Sequence, residues 1–154
     1  MRICPMTMTR LIPPFLFVLL LLPLAALWQW HPPADRPFDT RTPPWDVPLL
    51  AGLALLIWAR IQFKRRDSEI MTFDTPRNLN TDGAFRFSRN PMYLGFLLLL
   101  LGAALFVNTW CAFLAPTAFF AACQWWYIPA EEDNLRRVFG AEYEAYAART
   151  RRWI

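Results

Sequence analysis

The sequence predicts an all-α, polytopic membrane protein of about four transmembrane helices with a C-terminal helical tail in the cytosol. Three observations predict it. Of the 154 residues, 56% are hydrophobic and 18% charged, which is too apolar for an ordinary soluble domain. The apolar residues arrive in long blocks, and a block of roughly 20 crosses a ~30 Å hydrocarbon core. The basic residues fall in alternate loops, as the positive-inside bias requires. The length suits one membrane domain covering residues 1–154.

The elements follow in order. Residues 1–10 are a short polar leader with Arg2 and Arg10. The first span is expected over 11–28, carrying Pro13, Pro14 and Pro23. It is longer than a signal-peptide core and no A-x-A cleavage pattern follows, so a retained span is expected. His31 to Asp46 is rich in proline and acidic residues and reads as an irregular loop. The second span is expected over 47–63, with Arg60, Lys64, Arg65 and Arg66 marking its end. A polar connection with an Asp82-Gly83 turn signal leads to the third span, 91–107. Asn108-Thr109 is a minimal turn. The fourth span covers 110–128, with a kink expected at Pro116. A charged helical tail occupies 129–154.

Four spans place both termini and the middle loop on one side. Counting Arg60 with the loop it precedes, that side holds fourteen of the sixteen Lys plus Arg, so it is read as the cytosol. Trp28, Trp30, Trp45 and Trp110 are expected in the outer interfacial belt, and Trp58, Trp125, Trp126 and Trp153 in the inner one. The net charge of +4 then reflects topology and implies no nucleic-acid partner. Cys4, Cys111 and Cys123 lack paired spacing, so no metal site is expected.

The tight Asn108-Thr109 turn makes spans three and four antiparallel neighbours. Residues that open one must meet residues that close the other. Arg89, Asn90 and Tyr93 are therefore expected beside Tyr127, Glu131 and Glu132 at the cytosolic surface. Pro91 suits the first helical position, where no backbone hydrogen bond is lost. In the tail, Glu131, Glu132 and Asp133 read as the negative start of a helix, with Arg149, Arg151 and Arg152 at the far end. Leu135, Val138 and Phe139 form an expected apolar stripe. Gly140 reads as a C-cap, and Glu142 to Arg149 as a second helix with Tyr143 and Tyr146 on one face. Such a tail can fold back and roof the pocket.

The segment Gly83-Ala84-Phe85-Arg86-Phe87-Ser88-Arg89-Asn90-Pro91-Met92-Tyr93-Leu94-Gly95, then a span, then Glu131-Glu132 through Phe139-Gly140, Tyr143 and Tyr146, resembles the isoprenylcysteine carboxyl methyltransferase family. The wider superfamily includes phospholipid methyltransferases. The likeness covers roughly residues 75–154. It implies an integral membrane methyltransferase that uses S-adenosylmethionine and releases S-adenosylhomocysteine. It also implies that Arg89, Asn90, Pro91, Tyr93, Gly95, Glu131 and Glu132 line the cofactor pocket; the hairpin adds Tyr127. Arg89 suits the cofactor carboxylate as a planar fork of donors. A glutamate can accept from ribose hydroxyls or the ammonium, and aromatic faces such as Tyr93, Trp125 or Trp126 suit adenine or the sulfonium. Asn90 stands where eukaryotic members carry histidine, and residues 125–129 lack the arginine those members place before the glutamate pair. The expected partners are membrane lipids and a lipophilic acceptor of unspecified identity. A small membrane reductase using a nicotinamide cofactor and a non-enzymatic membrane protein are the alternatives.

Overall fold

The computed structural model describes residues 13–30, 44–65 and 78–154. The leader with Cys4, most of the proline-rich loop and the stretch 66–77 lie outside the described residues. All regular structure among the described residues is helical. The elements are α1 (Pro13–Trp30), α2 (Asp46–Arg65), a single-turn α3 (Ala84–Phe87), α4 (Pro91–Val107), α5 (Leu114–Ala122), α6 (Ile128–Phe139) and α7 (Ala141–Arg149). A 3₁₀ turn, Trp110–Phe113, leads into α5, and a π turn, Cys123–Tyr127, joins α5 to α6.

A helix stands at each expected span. Two segments are long and apolar enough to cross a membrane, Pro13–Trp30 and the continuous run Trp110–Phe139. α4 is apolar but has 17 residues. α2 has 20 residues and carries Asp46, Arg60, Lys64 and Arg65 at its ends. α1 is apolar on every side, and Phe15, Val18, Leu19 and Leu22 stay exposed. An all-round apolar surface of that kind needs lipid or protein against it.

α4 is the central helix. It packs along α2 on one side and against α1 and α5 on others. The α2 seam is close because of small residues: a Cβ on Gly52 would lie 2.7 Å from the Gly95 carbonyl oxygen, and one on Gly95 would lie 2.7 Å from Leu56 Cγ. Small residues let helix backbones approach where lipid supplies no hydrophobic drive. Leu24, Leu100, Ala104, Ala115 and Phe119 fill the core between α1, α4 and α5.

The hairpin after α4 forms as expected. Asn108 takes the left-handed conformation, φ 57°, and its N–H bonds the Ala104 carbonyl at 3.0 Å, closing the helix. Trp28 stacks on Phe106 with centroids 4.5 Å apart, and Trp45 meets the same ring edge-on at 5.3 Å. At the other end of the bundle Trp58 lies 6.3 Å from Phe87. These three tryptophans thus sort to the two ends that the belt pattern anticipates.

One expectation about the fourth helix is corrected. The helix does not stop at residue 128 but runs on through α6. Pro129 has no N–H for the Trp125 carbonyl four residues back, and the backbone widens there instead of breaking: the Ile128 N–H reaches back to Cys123. Pro116 sits in the opening turn of α5, next to the 3₁₀ turn, where a missing N–H is tolerated.

Candidate active site

The site is built where α4 begins and α6 begins. Gln62 on α2 steadies the approach: its Nε2 donates to the Asp82 carbonyl at 3.2 Å, and its Oε1 accepts from the Ala84 N–H at 2.9 Å. That contact fixes α3. Ser88 and Asn90 then turn the chain into α4, with the Asn90 N–H donating to Ser88 Oγ at 3.1 Å. Pro91 takes the first helical position and is buried.

Two polar contacts join the two helices. Arg89 Nη2 lies 3.3 Å from Glu132 Oε1. The Tyr93 hydroxyl donates to Glu131 Oε1 at 2.6 Å. The Tyr93 and Tyr127 rings stack with centroids 6.5 Å apart. The π turn matters here. One extra residue in a turn rotates the face that follows by about 100° relative to an unbroken α-helix. In the register that results, Tyr127 and Glu131 both face Tyr93.

Glu132 is the hub. It is 4% exposed. Arg152 forks onto it, Nη2 to Oε2 at 2.7 Å and Nε to Oε1 at 3.1 Å. Arg136, one turn along α6, adds a contact at 3.9 Å and also engages Asp133 and Glu144. Arg89 Nε is buried and has no hydrogen-bond acceptor among the described residues. A buried guanidinium with a donor to spare suits an anionic group.

Of the eight residues expected at the site, seven gather here: Arg89, Asn90, Pro91, Tyr93, Tyr127, Glu131 and Glu132. Gly95 does not; it lies against Leu56 and Gly52 in the α2 seam. Trp125 and Trp126 are 66% and 65% exposed, so they turn outward from the buried tyrosine pair. Glu131 lies in the first turn of α6 as expected, but the π turn runs into α6 without a break, so burial and ion pairing hold the glutamates more than a helix dipole does. Val138 is exposed and leaves the expected stripe, while Leu135 and Phe139 pack against Phe85, Tyr143 and Tyr146.

The tail folds back. Gly140, φ 51°, turns α6 into α7. Tyr146 donates its hydroxyl to the Phe85 carbonyl at 2.7 Å, pinning α7 to α3. Burial pushes the Tyr143 and Tyr146 phenols above the ordinary tyrosine range, so both stay protonated near neutrality. After Arg149 the chain leaves the helix and runs beside residues 88–90: the Arg89 N–H donates to the Arg151 carbonyl at 2.9 Å, and Asn90 Nδ2 to the Arg152 carbonyl at 2.9 Å. The helix-end reading therefore holds for Arg149 alone. Arg152 is the site residue that sequence reasoning missed. Its signal was faint: a basic-aromatic pair, Arg152-Trp153, just beyond a helix end.

A buried arginine–glutamate hub and a phenol–carboxylate pair at the foot of an apolar helical hairpin make up the candidate site. Residues 47–142 match the phospholipid methyltransferase family, and the chain belongs to it. Two rice sequences, from Oryza sativa subsp. indica and subsp. japonica, are each described as a probable protein-S-isoprenylcysteine O-methyltransferase. Each is 36% identical over 78 residues, covering 49% of this chain and 39% of its relative. The match thus spans well under half the length of those relatives. An uncharacterized protein of Haemophilus influenzae is 36% identical over 63 residues, 41% of this chain and all of that protein. No solved structure matches. The family membership agrees with the resemblance carried by the Arg89–Gly95 and Glu131–Tyr146 motifs.

Proposed function

We propose that this chain is an integral membrane methyltransferase that takes S-adenosylmethionine at the α4–α6 junction and methylates a lipophilic acceptor at the cytosolic face. The observation that carries the reading is the joining of Arg89 to Glu132 and of Tyr93 to Glu131 across the hairpin. The cofactor fits the donor set. Arg89, whose buried Nε has no acceptor among the described residues, would hold the carboxylate. Glu131 would accept from the ammonium or ribose, and the stacked Tyr93 and Tyr127 rings offer π faces to a sulfonium. When bound, the cofactor supplies an electrophilic methyl group.

The residues themselves align and exclude water. Alignment of donor and acceptor is the larger part of what such a transfer needs. The Tyr93 hydroxyl keeps Glu131 turned toward the ring pair, and the returning chain end covers the polar cluster. An acceptor carried in lipid would reach the site laterally past exposed apolar side chains such as Trp125 and Trp126. The four-span topology, with both termini and the site cytosolic, follows from the charge distribution and matches the supply of the cofactor.

Calorimetric titration of the detergent-purified chain with S-adenosylhomocysteine tests the reading. Micromolar binding is expected. Tyr93→Phe removes the hydrogen bond that turns Glu131 toward the ring pair, so S-adenosylhomocysteine should bind more weakly than to the parent. NADPH binding in its place would point to the reductase, and binding of neither would point to a structural protein.

A further inference from the structure

The chain end does more than cover the site. Arg152 works in two directions at once. Its carbonyl accepts from Asn90 Nδ2 at 2.9 Å and Ser88 Oγ at 3.4 Å, while its guanidinium forks onto Glu132. On either side of it, Arg151 receives the Arg89 N–H at 2.9 Å, and the Trp153 indole N–H donates to Gln124 at 2.8 Å. The Trp153 ring lies 5.1 Å from Phe120. Residues 151–153 thus touch the start of α4, the start of α6 and the helix before the π turn.

The geometry decides what this does. Arg89 Nη2 lies 3.3 Å from Glu132 Oε1, the oxygen that Arg152 Nε also donates to, and the pair shows no two-pronged hydrogen bonding of the Arg152 kind among the described residues. A single contact fixes a distance but leaves both groups free to pivot. A two-pronged guanidinium–carboxylate pair fixes orientation as well. The Arg152 fork therefore sets the plane of the Glu132 carboxylate, and that plane sets where Arg89 points. Asn90 has its amide donor committed to the chain end, which makes it a docking point for this strap.

We propose that Arg152 is a positioning residue: it locks the C-terminal strap, residues 150–154, across the α4–α6 junction and so holds Glu132 and Arg89 in their binding arrangement. The consequence for cofactor binding rests on the methyltransferase reading; the lock itself does not.

Two measurements on the full, detergent-purified chain test it, using Arg152→Gln, Arg152→Lys and Arg151→Gln. The first is hydrogen exchange at the Arg89 amide, which bonds the strap. Exchange should be at least about tenfold faster in Arg152→Gln, intermediate in Arg152→Lys, which keeps the charge without the fork, and unchanged in Arg151→Gln. The second is titration with S-adenosylhomocysteine. The Kd should rise about tenfold in Arg152→Gln, partly recover in Arg152→Lys, and leave stoichiometry unchanged. Parental exchange in Arg152→Gln would overturn the lock. Faster exchange with parental Kd, or lower stoichiometry at parental Kd, would overturn the positioning role, since a purely structural loss removes folded molecules without weakening those that remain. Should the parent itself not bind S-adenosylhomocysteine, the methyltransferase reading fails and the exchange comparison alone decides the lock. If Arg152→Gln does not fold, the comparison of Arg152→Lys with Arg151→Gln carries both measurements.

Discussion

Replacing Glu132 by alanine removes the one carboxylate that two enclosed guanidiniums share. The Glu132 side chain is 5% exposed, Arg89 14% and Arg152 30%, so solvent does little to screen the loss. Breaking a buried ion pair from one side costs about 3–5 kcal/mol, because the remaining charge is left without a counter-ion. Arg136 adds little to that figure, since it is solvent-exposed and keeps Asp133 and Glu144. For a domain of this length each kcal/mol moves the melting temperature by about 2–4 °C, which gives a fall of roughly 6–20 °C. Glu131→Gln is the comparison. Its amide oxygen can still accept from the Tyr93 hydroxyl, so the loss is about 1 kcal/mol and the shift a few degrees. Thermal unfolding of both variants in one detergent, followed by tryptophan fluorescence, provides the test. A Glu132→Ala melt within about 3 °C of the parent, or no lower than that of Glu131→Gln, would refute the hub. The same pair separates stability from binding. Glu131→Gln should keep the fold while weakening S-adenosylhomocysteine, which Glu132→Ala cannot show cleanly.

Three further outcomes are expected. Gly52→Val should cost about 1–3 kcal/mol by overpacking, because the atom nearest its new Cβ, at 2.7 Å, is backbone carbonyl oxygen and cannot swing aside; a melt equal to the parent would mean α2 and α4 do not meet there. Gly140→Ala should cost a similar 1–3 kcal/mol for a different reason: nothing lies within 4 Å of its Cβ, but φ 51° with ψ −120° is open essentially to glycine alone, so unfolding titration should show a loss in spite of the free space. The third concerns pH. Burial raises the folded-state Tyr146 phenol above its unfolded value, so its contribution is fully present below the unfolded pKa of about 10 and is lost as pH rises through the higher folded value. The melting temperature should therefore fall above pH ~10, and Tyr146→Phe should be less stable at neutral pH yet show a shallower fall. An equally steep alkaline fall in Tyr146→Phe would remove that residue from the account.

Sequence alone determined the long helices, the hairpin and most of the pairings across it. Apolar blocks are long-range signals that survive without coordinates, and a two-residue turn leaves its flanking helices one way to run. That is why Arg89, Tyr93, Glu131 and Glu132 could be brought together from their order in the chain. The tertiary structure decided the rest. Gly95 belongs to a seam with Gly52 and Leu56, because its face of α4 depends on which neighbour packs there. Pro129 gives a widened turn instead of a helix end, because the Ile128 N–H finds the Cys123 carbonyl. Arg152 reaches Glu132 only after Gly140 reverses the chain and Tyr146 pins α7 to α3. Local pattern fixes periodicity and turns, whereas the partner of a charged side chain at a chain end depends on where every intervening helix has packed.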